Sequence, residues 1–156
     1  MNDELTEGEK LLLALLYAPG KRGQAGEPIF GRVTLAKLLF LLWKNPATGR
    51  RLAEAHFEPY DYGPWSDWVD VTLDELSSRS LVTQQAGRAT RIGLTRNGKR
   101  VARTFFDGLS PEERSAVEYL KAHFGSLGTD ALLRRIYAAY PEYATQSKWI
   151  DTKGRA

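Results

Sequence analysis

Asp67, Asp70 and Asp74 recur at i, i+3 and i+7, so a helix through them would carry all three carboxylates on one face. Three carboxylates so placed can hold a hard cation, and two can share acid–base work. The same spacing describes a solvated helix face opposite an apolar stripe of Trp65, Val69, Leu73 and Leu76, and the stripe favours that reading. Other chemistry has less to build on. His56 and His123 lie far apart and show no paired ligand spacing. The chain has no cysteine, which excludes disulfides, thiol nucleophiles and zinc–thiolate sites. No serine sits in a nucleophile-elbow motif, and the glycine-rich stretch 18–31 matches neither phosphate-binding fingerprint. The residue pattern points away from an enzyme, and no catalytic residue, metal or cofactor is expected.

Charge carries a stronger signal. The net charge is only +3, yet no acidic residue falls between Glu75 and Asp107. That interval holds Arg79, Arg88, Arg91, Arg96, Lys99, Arg100 and Arg103, seven cations without one counter-charge. Clustered Lys and Arg of this kind neutralise phosphates and dominate nucleic-acid affinity without specifying sequence. Arg88, Arg91, Arg96, Lys99, Arg100 and Arg103 are therefore the candidate contacts to DNA or RNA. The alternative is a merely solubilising face.

These residues need elements to position them. Thr6 and Glu9 form a capping box ahead of a helix over Glu9–Tyr17, which Pro19 and Gly20 stop. Residues 32–43, RVTLAKLLFLLW, are apolar on nearly every face and predict a helix at the centre of the core. Segment 46–56 reads as a loop with Arg50 and Arg51 solvated. Ser66 caps a third helix over 67–78. Two β-prone runs, 81–83 and 91–95, flank a basic turn containing Gly87 and predict a hairpin. Thr95 caps a fourth helix over 96–106. Ser110-Pro111-Glu112-Glu113 opens a fifth, and Thr129-Asp130 a sixth that Pro141 ends. The expected fold is mainly α within the α+β class: a winged-helix core with a short hairpin, then two C-terminal helices. One domain over 1–147 is expected, with a helical extension from about 109 and a flexible tail over 148–156. The polar, acidic start MNDELTEGEK is unlike a secretory signal. The longest apolar runs, Leu11–Ala18 and Leu38–Trp43, are too short to span a bilayer, so a cytoplasmic protein without membrane contact is expected.

Within this frame FEPYDYGPWS, residues 57–66, is an extended stretch that turns at Gly63-Pro64. Phe57, Tyr60, Tyr62, Gly63, Pro64 and Trp65 then form a structural turn that wedges the second helix against the third. A groove for a peptide or an unstacked base is the alternative. Trp68 and Val71 sit off the apolar stripe beside the aspartates. They predict a partner interface, a homodimer seam or a basic protein, unless the C-terminal helices cover them. Acidic residues and no basic one on the third helix argue against its entering a DNA groove.

Taken together, GRVTLAKLLFLL, FEPYDYGPWS, Leu81-Val82, RIGLTRNG and LLRRIYAAYPEYATQS resemble the YwgA-like family of small bacterial and archaeal winged-helix proteins. The likeness spans roughly residues 9–147. A fainter one is to SocA-type antitoxin domains, which share a KLL helix followed by a Gly-Pro turn. The resemblance implies a winged-helix core and, because some relatives lie near mobile elements and phage-defence genes, a regulator or accessory factor of such a system. It lends no catalytic residues. Trp65 stands where relatives usually carry Phe or Tyr. A protein-interaction module, antitoxin-like or a subunit of a defence complex, is the competing expectation.

Overall fold

The computed structural model describes residues 4–149. It is an α+β structure, mainly helical, with a small antiparallel sheet. Helix α1, Glu7–Tyr17, starts at the expected capping box and buries Leu11 through Leu16 completely. Helix α2, Arg32–Lys44, buries Leu35, Leu38, Leu39 and Phe40 in the same core. Helices so uniformly apolar have no solvent face, and the remaining elements wrap them. Helix α3, Asp67–Ser78, is capped by Ser66 and buries Val69, Thr72, Leu73 and Leu76. Helix α4, Arg96–Asp107, is held at its start by Thr95, whose hydroxyl accepts the Gly98 N–H at 2.8 Å and donates to the Ser80 carbonyl at 2.7 Å. It packs along α1.

The hairpin gains a third strand. Strands β2, Val82–Gln85, and β3, Arg91–Leu94, pair as expected, but β1, Ile29–Phe30, adds to the other edge of β3. The register sets Ile29 opposite Ile92 and Phe30 opposite Arg91. Helix, strand, helix, helix, hairpin, helix is the winged-helix order, with the turn 86–90 as the wing. Two residues are too few to show a period in sequence, and their partner lies some sixty residues on, so β1 was illegible there.

Helices α5, Pro111–Phe124, and α6, Thr129–Ala139, close the core over α1 and α2. Two buried groups fix α5. The Lys121 ammonium, on a side chain 3% exposed as a residue, donates to the carbonyls of Leu16 and Ala18 at 2.8 and 2.7 Å, capping the negative end of α1. Glu113 accepts a two-pronged contact from Arg51 at 2.6 and 3.1 Å, and Arg51 also reaches Glu7. Arg51 is thus not solvated, as the loop reading expected. Segment 46–56 instead contains a 3-10 turn, Gly49–Leu52, that carries this arginine toward both carboxylates. Lys148 and Trp149, expected in a tail, bond through their backbone N–H and indole to the Asp61 carbonyl and the Asp130 carboxylate. The rest of the expected tail, 150–156, lies outside the described residues.

Candidate nucleic-acid interface

The hairpin and α4 carry all the candidate phosphate contacts, and each is exposed. Arg88 stands in the wing turn, and Arg91 on β3 lies opposite Phe30 and Gln85. On α4 the inward face is apolar, with Gly98, Ala102 and Phe106 buried. A Cβ on Gly98 would lie 1.9 Å from the Leu81 carbonyl oxygen, so glycine is what lets the helix press on the end of the hairpin. Arg96, Lys99, Arg100 and Arg103 consequently point outward. Arg103 faces Asp107 at 3.7 Å, and Arg100 touches the Asn97 amide oxygen. Arg88, Arg91, Arg96, Lys99 and Arg100 meet no carboxylate among the described residues.

Two of these cations share a groove that the sequence did not disclose. Arg91 and Lys99 line an open trough of about 1140 Å³ between the loop 20–30, the sheet and the turn from α5 to α6. Lys21, Arg22 and Lys121 line it as well. Burial pushes the Lys121 ammonium down to about 7, against a weaker opposing pull from Glu27. Glu27 is the single acid on the lining among the described residues, and its carboxylate accepts the Gln24 and Arg22 N–H groups at 2.7 and 3.3 Å. Those backbone bonds hold it below the usual carboxylate range. The loop is pinned by Gly26 N–H to the Tyr17 carbonyl and by Gly31 N–H to Thr90, both at 2.7 Å. Without the β1–β3 pairing, nothing in the sequence sets Lys21 and Arg22 beside Arg91 and Lys99.

No protein-family model matches the chain. No curated protein matches it either.

The aspartate face has a different use from the one expected. Arg32, at the start of α2, donates to Asp70 at 2.6 Å, to Asp74 at 2.8 Å and to the Gln84 side-chain amide oxygen Oε1 at 2.6 and 3.0 Å. The two carboxylates that might share a cation share a guanidinium, which ties α2, α3 and β2 together. Asp74 is held below the usual carboxylate range by that arginine first and by Gln84 second. Asp67 accepts the Trp65 indole N–H at 3.3 Å.

The aromatic turn is only partly the expected wedge. Phe57 is buried edge-on against Phe40. Gly63 and Pro64 are buried, with the Pro64 carbonyl accepting from Lys37 at 3.0 Å. Desolvation lowers the Lys37 ammonium to about 8. A Cβ at Gly63, where φ is +97°, would sit 2.5 Å from Leu133 and 2.7 Å from Lys37. Tyr60 and Tyr62 stay in solvent rather than joining the wedge. Trp65 is half-buried with Lys37 under its ring, not the fully buried head of the stripe.

Of the expected interface pair, Val71 is 67% exposed. Trp68 is half-buried, and it packs on Gly8 of α1 rather than under the C-terminal helices. Its indole N–H donates to Glu54 at 2.8 Å. Trp68 borders a cleft of about 340 Å³ lined also by Glu54, Glu58, Tyr60, Trp65 and Asp67. Acids and aromatic rings together suit a cationic partner group.

Proposed function

We propose that this protein is a non-enzymatic nucleic-acid-binding regulator or accessory factor that grips DNA or RNA through its wing and α4. The observation that carries the reading is a contrast in how arginines are used. Arg32 and Arg51 are consumed by carboxylates inside the fold, whereas the cations of the wing and α4 project from it, five of the six with no carboxylate beside them among the described residues. Such groups interact with water and counter-ions until a polyanion replaces both. Acid on α3, only partly neutralised by Arg32, repels phosphate, so that helix does not serve as the reader. The expected binding is electrostatic, poorly selective among sequences and weakened by salt. The resemblance to YwgA-like proteins adds a cytoplasmic role in a phage-defence or mobile-element system.

Fluorescence anisotropy at low salt, on a labelled duplex and a labelled single strand, tests the reading. Saturable binding to either supports it. Absence of binding to both refutes it, and the second reading then takes its place. That reading is a docking module, favoured by the acid–aromatic cleft and by exposed Val71. Val71→Asp should then release a homodimer or a basic protein partner, measured by sedimentation at several concentrations.

A further inference from the structure

One corner of the basic groove is built for more than a continuous phosphate backbone. Phe30 is 55% exposed on β1, and its cross-strand neighbour is Arg91. Residues directly opposite in an antiparallel pair project from the same face of the sheet, so ring and guanidinium stand side by side. Ile29 and Ile92, one residue away on each strand, point into the core instead. The next residue, Gly31, begins α2 with φ of +100° and no side-chain cap, leaving the first N–H groups of the helix without an intrahelical acceptor. Thr34, in that first turn, is only 7% exposed and lines the groove, yet its hydroxyl makes no hydrogen bond to any described residue. With no partner among the described residues, this hydroxyl is reached from the groove and can donate to or accept from a ligand there.

We infer that this corner binds one nucleotide of an unpaired strand, with its base on Phe30 and its phosphate between the start of α2, Arg91 and Lys99. The proposal rests on the nucleic-acid reading above and names the form of nucleic acid. A phenyl ring offers a stacking surface to any base, but only to a base that is not already stacked inside a duplex. Backbone N–H groups at a helix start and a nearby hydroxyl suit a phosphate, and the two flanking cations supply charge. The trough is large enough for a nucleotide and its neighbour, where about 300–1000 Å³ holds an ordinary small ligand. The outer cations, Arg96 and Arg100, then follow the strand as it leaves. They serve duplex and single strand alike, whereas Phe30 and Thr34 serve only the single strand.

That difference gives the test. The full chain and its Phe30→Ala, Phe30→Trp and Thr34→Val variants are titrated at one salt concentration. The two probes are a labelled unpaired oligonucleotide and a labelled hairpin duplex of matched composition. Phe30→Ala should lower single-strand affinity about tenfold and leave duplex affinity unchanged. Phe30→Trp should retain or raise it, and Thr34→Val should lower it. A strand carrying 2-aminopurine should lose fluorescence on binding the wild type and much less on binding Phe30→Ala. Because Phe30 is on the surface, thermal melts of the variants should match the wild type. If the wild type binds both probes and Phe30→Ala weakens neither, or weakens both equally, the stacking site is refuted while the nucleic-acid reading stands. If the wild type binds neither probe, both fall together.

Discussion

Replacing Arg96 and Arg100 together by alanine should change how salt controls binding, and the size of the change follows from the ion-pair pattern. Five cations of the wing and α4 lack a carboxylate among the described residues: Arg88, Arg91, Arg96, Lys99 and Arg100. If each meets one phosphate of a duplex, the logarithm of affinity should fall with that of salt at a slope of about −4.5. Raising salt from about 50 to about 200 mM would then weaken wild-type binding by about 500-fold. Losing two contacts reduces the slope to about −2.7 and the loss over the same range to about 40-fold. Both side chains project from a helix whose buried face is Gly98, Ala102 and Phe106, so alanine leaves the packing untouched. The assay is anisotropy of a labelled duplex at four or five salt concentrations for both proteins. Asp67→Asn, on the acidic helix, is the control and should leave the slope alone. Equal slopes for the wild type and the double variant would show that Arg96 and Arg100 do not touch phosphate.

Other predictions concern what holds the site in place. Arg51→Ala leaves Glu113, 3% exposed, with only the Ser110 N–H, and should cost about 3–5 kcal/mol in urea melts. Arg51 first, with the Ser110 N–H behind it, holds the Glu113 carboxyl at about 2 against an ordinary 4.5. Its stabilisation, about 3 kcal/mol, is therefore complete above pH 4.5 and lost as pH falls toward 2; Glu113→Gln should flatten that part of the acid limb. Lys121 behaves in the opposite sense, because its folded value of about 7 lies below the ordinary 10.5 and the unfolded chain binds the extra proton between them. Wild-type stability should thus rise from pH 7 toward 10.5 relative to Lys121→Met, by at most about 5 kcal/mol, as read from paired melts across pH. Gly98→Ala drives a methyl into the Leu81 carbonyl oxygen and should lower stability by about 1–3 kcal/mol in thermal or urea melts.

The helices were legible because their starts are written locally. Thr6 with Glu9, Ser66, Thr95, and Ser110 with Glu113 each cap a helix through a hydrogen bond spanning two or three residues, and such bonds need no knowledge of the rest of the fold. What depends on distant partners was not legible. Arg32 looks like any first-turn arginine until β2 and α3 bring Gln84, Asp70 and Asp74 to it. Arg51 reads as solvated until α5 delivers Glu113. The basic interval could be read as a charge count, and the spacing of Arg96, Lys99 and Arg103 set them along one flank of α4. The groove could not, because it needs the pairing of Ile29 with Ile92 to lay a separate loop beside the wing. The aromatic turn misled for a steric reason. Four aromatic residues suggest four buried rings, but Tyr60 and Tyr62 stay exposed while it is Gly63 that presses against Lys37 and Leu133.

The fastening of α5 bears on where this chain can be divided. By sequence the last two helices read as an extension after residue 108, a place where one might cut to isolate the winged helix. Yet Lys121 supplies the hydrogen bonds for two carbonyls at the end of the first helix, and Glu113 is the counter-ion of an arginine that also holds Glu7 at its beginning. A truncation at 108 would leave the carbonyls at the end of α1 without their donor and Arg51, beside its start, without its buried counter-ion. The amides of α1 should accordingly exchange with solvent only as fast as α5 detaches, and the two should show one opening free energy. The extension is part of the folding unit, so the wing is carried by all six helices rather than by the four that precede it.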